Sequence, residues 1–246
     1  MRLLRSILPL FLFASADAEQ IVVAVASNFI APFEELAQTF QQATGHVVLS
    51  STGSTGMLYA SITNGAPFSM LLAADEQRPY LLEQSGDGIA GTRFTYAIGG
   101  LVLWSADPAL SGADCRGQLD NLESLRLAIA NPLTAPYGVA AMEFLMRVDV
   151  WDEAQDNLVY GENISQALQF VATRNANMGL LAASHVIDER LPAATCRWAV
   201  PASMHRPIEQ QAILLRDGKA GRAFLDFLRS SEGKDIIRAH GYEVSD

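Results

Sequence analysis

Short apolar runs rich in β-branched residues alternate along this chain with segments whose apolar residues recur at helical spacing. Residues 21–26 form the first such run, and in residues 33–40 the apolar positions fall on one face of a helix. Gly45 is expected to end that helix. Residues 47–50 and 57–63 repeat the order of strand and helix. This alternation predicts βα units, the building blocks of largely parallel sheets.

A longer apolar stretch, residues 93–104, follows. It contains Gly99 and Gly100 and exceeds the roughly five or six residues of an ordinary strand, so we expect it to cross from one lobe to another. A second βα series comes after it. Its predicted elements are a strand at 127–130, a helix at 138–147, a strand at 158–160, a helix at 164–174 and a strand at 178–182.

The end of the chain is expected to return to the first lobe, with a strand at 211–215 and helices at 220–229 and 232–240. We therefore predict an α/β fold of two lobes, each a mixed, mostly parallel sheet flanked by helices. Two crossovers join the lobes, and the functional cleft lies between them. Lobe 1 is assigned to residues 19–98 and 204–246, and lobe 2 to residues 99–203.

The first eighteen residues have the pattern of a secretory signal peptide. Arg2 and Arg5 precede an apolar run at residues 7–13, and small residues occupy the cleavage positions at Ala16 and Ala18. A membrane anchor is the alternative, but the run is far shorter than the ~20 residues of a spanning helix. We predict cleavage after Ala18 and export to a bacterial periplasm.

The net charge of the chain limits the classes of partner that it can bind. The formal net charge is −10 over 246 residues, and loss of the leader, with two arginines and one aspartate, makes it one unit more negative. This balance argues against nucleic acid or an anionic membrane surface as a partner. It permits a small anion, because local dipoles decide binding at a closed site.

Cys115 and Cys196 are the two cysteines. In an oxidising compartment they permit one disulfide, and two buried free thiols are the alternative that the sequence leaves open. There is no CxxC motif and no cluster of cysteine and histidine at ligand spacing. No zinc or redox site is therefore expected.

Four short segments are rich in hydroxyl groups and main-chain amides and contain no lysine or arginine: residues 25–29, 53–56, 131–138 and 161–166. Each falls where a strand is expected to give way to a helix, and there free N–H groups and the helix dipole favour an anion. Together they would form a neutral cage for an oxyanion. The candidate donors are the side chains of Ser27, Ser54 and Thr55 and the main-chain N–H groups of Tyr137 and Ile164.

The absence of cationic side chains from these segments favours an ion that is fully deprotonated at neutral pH, such as molybdate, tungstate or sulfate. Phosphate keeps a proton there, and a selective site would need a carboxylate to accept it. Glu162 is near enough in sequence to be considered for that role. A carboxylate at the start of a helix more often interacts with the helix dipole.

In this order along the chain, these motifs resemble the periplasmic molybdate-binding component of ABC transporters, the ModA family. The resemblance extends from Ile21 to Gly241-Tyr242. The matching segments are Val25-Ala26-Ser27-Asn28, Gly53-Ser54-Thr55-Gly56, Asn64-Gly65-Ala66-Pro67, Ala73-Ala74-Asp75-Glu76, Phe94-Thr95-Tyr96-Ala97-Ile98-Gly99, Asn131-Pro132 with Ala135-Pro136-Tyr137-Gly138, and Ile164-Ser165-Gln166-Ala167. The resemblance implies the type 2 periplasmic binding protein fold.

The resemblance also implies a set of ligand-binding residues. They are Ser27, Asn28, Thr55, Tyr137 and Ile164, with Ser54 beside them in the glycine-flanked turn. In one subgroup the asparagine contributes main-chain or side-chain donors. Some members add a tyrosine hydroxyl at the position held here by Ala182, so the resemblance points to the subgroup in which Asn28 replaces it.

We therefore expect an exported, monomeric binding protein, not an enzyme, that captures molybdate and also tungstate. It would need no cofactor, and molybdenum or tungsten would be bound only as the oxyanion. Its partners would be that ion and the membrane permease of an ABC transporter.

Two other functions are weighed against this one. The first is a binding protein for another solute, such as sulfate, phosphate, ferric ion or an organic anion. The second is a serine hydrolase, with Ser54 as nucleophile and His185 or His205 as base. The second is weaker, because there is no Gly-x-Ser-x-Gly motif and nothing in the sequence predicts an oriented base. Taken singly, the hydroxyl segments are also common as helix caps and tight turns.

Overall fold

The computed structural model describes residues 18–244, so the predicted leader, apart from Ala18, lies outside the described residues. The strands are β1 (Gln20–Ala26), β2 (Val47–Gly53), β3 (Met70–Leu72), β4 (Phe94–Gly99), β5 (Leu101–Ser105), β6 (Leu127–Ala130), β7 (Leu158–Gly161), β8 (Met178–Ala182), β9 (Cys196–Ala199) and β10 (Ile208–Leu214). The helices are α1 (Ile30–Thr44), α2 (Thr55–Thr63), α3 (Gln77–Ser85), α4 (Pro136–Arg147), α5 (Trp151–Ala154), α6 (Ile164–Ala172), α7 (Lys219–Arg229) and α8 (Ser231–Ala239).

The first sheet has the strand order β2-β1-β3-β10-β4, with β1 parallel to both neighbours and β10 antiparallel to both of its own. Strand β1 is apolar on both faces because both are covered. Val23 and Val25 pack in one core with Phe224 of α7, and Ala24 packs in another with Leu58 of α2. Such double coverage is typical of the parallel part of an α/β sheet. We call this sheet with α1–α3, α7 and α8 lobe 1.

The second sheet has the order β7-β6-β8-β5-β9, with β6 parallel to β7 and β8, and β5 antiparallel to β8 and β9. We call it, with α4–α6, lobe 2. The chain enters lobe 2 between β4 and β5 and returns between β9 and β10. The predicted fold of two mixed α/β lobes with two crossovers is confirmed, whereas the residue limits assigned to each lobe stay a prediction.

Some local details of the structure agree with the predictions from the sequence, and others were not predicted. Gly45 ends α1 with a φ of 76°, the left-handed conformation that glycine adopts at helix ends. Strand β9, at the edge of the sheet, was not predicted, because it is short and the exposed Arg197 interrupts its apolar residues. A disulfide joins Cys115 to Cys196 in the core of lobe 2, which decides between the two alternatives for these cysteines.

Within residues 18–244, no helix combines the length and the apolar character that crossing a bilayer requires.

Candidate anion-binding site

A small cavity lies between the lobes, where the chain leaves β1, β2, β6 and β7. In α/β sheets the carboxyl ends of strands are the usual place for a ligand. The volume of this cavity is about 10 Å³, against ~300–1,000 Å³ for pockets that hold organic ligands. All six residues singled out from the sequence line it. The lining residues are Ala26, Ser27, Asn28, Gly53, Ser54, Thr55, Ala74, Ala135, Pro136, Tyr137 and Ile164.

The wall from lobe 1 presents hydroxyl groups. Ser27 begins a short 3-10 helix directly after β1, and Ser54 precedes α2, yet neither side chain caps its helix. The Ser54 Oγ is buried and has no hydrogen-bond partner among the described residues. The Thr55 Oγ1 accepts a hydrogen bond from the Ala74 N–H at 2.9 Å, so its own hydrogen remains available to donate. These hydroxyls are therefore not ordinary caps.

The wall from lobe 2 presents main-chain amides. Helix α4 begins at Pro136, which has no N–H, so the amide of Tyr137 is the first that this helix offers. Helix α6 begins at Ile164 after Asn163, whose Oδ1 accepts from the Gln166 N–H. The first amides of a helix have no partner within it and lie at its positive end. Both walls thus supply donors suited to an anion.

The lining residues include no lysine, arginine, aspartate or glutamate. Glu162, considered above as an acceptor for a protonated anion, is exposed and does not line the cavity. The cavity is therefore neutral and rich in donors, which suits a fully deprotonated oxyanion better than one that carries a proton.

The two lobes are in direct contact around the cavity. The Gly56 N–H donates to the Thr134 carbonyl at 2.8 Å, and the Ser165 Oγ donates to the Ser27 carbonyl at 3.1 Å. Each bond joins a residue of lobe 1 to one of lobe 2. The structure thus has the cleft closed, with both sets of donors around one small volume.

The side chain of Asn28 is occupied elsewhere. Its Nδ2 donates to the Gln210 Oε1 at 2.8 Å and to the Tyr242 hydroxyl at 3.0 Å, which uses both amide hydrogens. Of the two kinds of donor considered for Asn28, the main-chain N–H is the one left. Burial raises the pKa of Tyr242 to about 12, so this hydroxyl stays neutral. The sequence analysis missed this network.

A model of the bacterial extracellular solute-binding protein family matches residues 21–243. The chain belongs to this family.

Among relatives, this solute-binding protein is 43% identical over 235 residues to the molybdate-binding protein ModA of Azotobacter vinelandii, covering 94% of this chain and 92% of the relative. It is 42% identical over 230 residues to ModA of Rhodobacter capsulatus, covering 92% and 89%. A solved structure, the Azotobacter vinelandii periplasmic molybdate-binding protein, matches with a TM-score of 0.82 at 36% identity, over 92% of this chain and 100% of that one. The family resemblance drawn from the motifs is confirmed.

His185 of this solute-binding protein lies in the segment after β8 of lobe 2, beside the main chain of lobe 1. Burial lowers its pKa to about 4, while the nearby carbonyls of Ser27 and Asn28 and the carboxylate of Asp188 act in the opposite direction. Its buried Nδ1 has no hydrogen-bond partner among the described residues. Within the part of the chain that the structure describes, neither His185 nor His205 is hydrogen-bonded to the Ser54 Oγ.

A second cavity of about 260 Å³ adjoins the first and shares Ala74 and Pro136 with it. Its two arginines are paired, Arg78 with Asp75 and Arg206 with Glu143. Neither arginine lines the smaller cavity.

Proposed function

We propose that this protein captures molybdate, and also tungstate, in the small cavity between its lobes and delivers the ion to the membrane permease of an ABC transporter. The main support for this proposal is the closed, neutral cavity. It is lined by residues with hydroxyl groups from one lobe and by residues at the first turns of two helices from the other. The names of the two relatives that are more than 40% identical support the choice of ion.

The proposed donors divide between the lobes. Ser27, Ser54 and Thr55 donate through hydroxyls and Asn28 through its main-chain N–H, all from lobe 1. The main-chain N–H groups of Tyr137 and Ile164 donate from lobe 2. Each hydrogen bond to a charged ligand contributes about 1.5–3 kcal/mol before ordering and desolvation costs are subtracted.

Closure follows from this division. An open cleft offers the ion one wall, and a closed cleft offers it both, so the ion binds the closed form better and shifts the population toward it. The permease would then distinguish the closed shape from the open one. No covalent step is part of this function, and the protein acts as a monomer.

The place of action is part of the proposal. Residues 1–18 direct export and are removed, so that capture takes place in the periplasm. Mass spectrometry of the protein purified from the periplasm tests this part, and a mature N-terminus at Glu19 is the expected result.

Titration calorimetry with molybdate, tungstate, sulfate and phosphate tests the choice of ion. We expect tight binding of molybdate and tungstate, which are nearly the same size, and weaker binding of sulfate, which is smaller and would not reach the donors of both walls at once. Phosphate should be the weakest, because no carboxylate lines the cavity to accept its proton. Phosphate binding equal to or tighter than molybdate binding would overturn the proposal.

A further inference from the structure

Two adjacent glutamines of β10, Gln210 and Gln211, are both buried. Gln211 is bonded within lobe 1: its Oε1 accepts from Arg93 Nη1 at 2.7 Å and its Nε2 donates to Thr95 Oγ1 at 3.1 Å. Gln210 is bonded to both lobes. Only Gln210 of these two glutamines can therefore link the two lobes through its side chain.

The hydrogen bonds of Gln210 reach a residue from each wall of the anion cavity. Its Oε1 accepts from Asn28 Nδ2 at 2.8 Å, and its Nε2 donates to the Tyr137 hydroxyl at 3.3 Å. Asn28 belongs to the wall of lobe 1 and Tyr137 to that of lobe 2. Gln210 itself is fully buried and does not line the cavity. It therefore acts on the cavity through its neighbours.

Tyr242 adds a second link to the same asparagine. Its hydroxyl donates to the Asn28 carbonyl at 2.6 Å, and the Ser184 Oγ of lobe 2 donates to the Tyr242 oxygen at 3.0 Å. Tyr96 supports Gln210 from β4, since its hydroxyl lies 3.2 Å from the Gln210 Oε1. Asn28 is thus held from two directions.

The first crossover passes directly over the contact between Gln210 and Tyr137. A Cβ at Gly99 would lie 2.1 Å from the Tyr137 hydroxyl and 2.8 Å from the Gln210 Nε2. The contact therefore depends on glycine at this point of the chain. Because the two residues belong to different lobes, a rotation of one lobe against the other would change the distance between them.

We propose that Gln210 is a positioning residue that sets the separation of the two cavity walls in the closed form, and with it the size of oxyanion that the protein prefers. The inference rests on the proposed function, because it concerns the same cavity. Gln210 does not touch the ion. It fixes Asn28, and through the Tyr137 hydroxyl it fixes the start of α4, whose amide faces the ion.

The test compares Gln210→Met with Gln211→Met, two substitutions of the same kind at adjacent buried positions. Both should lower the melting temperature, because each leaves buried polar groups without a partner. Gln210→Met should also weaken molybdate binding at least about tenfold, the scale of one hydrogen bond, and lower the ratio of molybdate to sulfate affinity. Gln211→Met should leave affinity and ratio within about twofold of wild type.

Tyr137→Phe separates positioning from packing, because it removes the hydroxyl and keeps both the ring and the main-chain N–H. If Gln210 acts through this hydroxyl, the double variant Gln210→Met/Tyr137→Phe should bind molybdate no more weakly than Gln210→Met alone. Gly99→Ala, which leaves both partners intact and displaces them, should lower the same affinity ratio. Fully additive losses, or equal affinity ratios in Gln210→Met and Gln211→Met, would overturn the inference.

Small-angle X-ray scattering of the ligand-free variants tests this inference without any bound ion, and so separately from the proposed function. If wild-type protein bound none of the four ions, the proposed function would fail, and the scattering would then decide the inference. Gln210→Met should be more expanded than Gln211→Met. Equal profiles would in that case overturn it.

Discussion

The two walls of the anion cavity differ in the kind of donor they present. Lobe 1 offers three side-chain hydroxyls, those of Ser27, Ser54 and Thr55, beside the main-chain N–H of Asn28, whereas lobe 2 offers only the main-chain amides of Tyr137 and Ile164. The side chains of Tyr137 and Ile164 are both buried away from this role, Ile164 in the core of lobe 2 and Tyr137 with its hydroxyl bonded to Gln210 of lobe 1. Residue identity therefore determines the first wall, and the point at which a helix begins determines the second.

Separating the walls should have the largest effect. A Cβ at Gly56 would lie 2.8 Å from the Thr134 carbonyl oxygen and 3.0 Å from its Cα, both main-chain atoms of the other lobe. Gly56→Ala should hinder closure and weaken molybdate binding by on the order of a hundredfold or more, since two amide donors are lost. Calorimetry measures this loss.

The fold itself should tolerate Gly56→Ala, because alanine is the better helix former. The melting temperature without ligand should therefore be unchanged or higher. Gly218→Ala is the matched control, because Gly218 directly precedes α7 and an added Cβ would meet only the Glu19 Oε2, at 3.9 Å; it should bind as wild type does. Wild-type affinity in Gly56→Ala would mean that contact between the lobes is not needed for binding.

Thr55→Ala alters the wall of lobe 1 alone. It removes the hydroxyl proposed to donate to the ion and also leaves the Ala74 N–H of the same lobe without its acceptor. We expect binding to weaken by about 3 kcal/mol, roughly a hundredfold. Thr55→Ser keeps the hydroxyl and should retain most of the affinity. Equal affinities in the alanine and serine variants would argue that this hydroxyl does not meet the ion.

The wall of lobe 2 can be altered only through its main chain. Ile164→Pro removes the N–H at the first position of α6, a place where proline fits a helix well. Binding should weaken by about 1.5–2 kcal/mol, roughly tenfold or somewhat more. Ile164→Val keeps the amide and should bind nearly as wild type. If valine and proline were equally harmful, the side chain and not the amide would be the important group.

Acidification should have the smallest effect on molybdate affinity. It acts through His185, which lies where the two lobes meet. The pKa of His185 is about 4 in the closed structure against about 6.5 for a free histidine. The neutral form thus favours closure, so affinity is complete above pH 6.5 and falls as the pH drops toward 4. We expect at most about a tenfold loss at pH 5.5. His185→Gln should flatten this part of the profile, and an unchanged slope would exclude His185 as its cause.

The hydroxyl donors of lobe 1 could be predicted from the sequence because they are side chains. Ser54 and Thr55 are consecutive hydroxyl residues between two glycines, and Ser27 directly follows an apolar run. The helix was predicted to begin at Gly138, two residues after Pro136, where α4 begins; a proline, which is favoured at a first helical position, was the signal for the true start. The bonds of Gln210 to Asn28 and of Tyr242 to Asn28 join residues 182 and 214 positions apart, and no local pattern announces them. The only signal was a glutamine beside an apolar run, which is too common to interpret alone.

The disulfide between Cys115 and Cys196 ties β9 to the body of lobe 2 just before the chain crosses back to lobe 1. A thiol pair stays reduced in the cytoplasm and becomes oxidised outside it. With the export proposed above, newly made chains would acquire their final covalent form only after translocation. Recombinant material from a reducing host compartment should be checked for this bond before any affinity is compared.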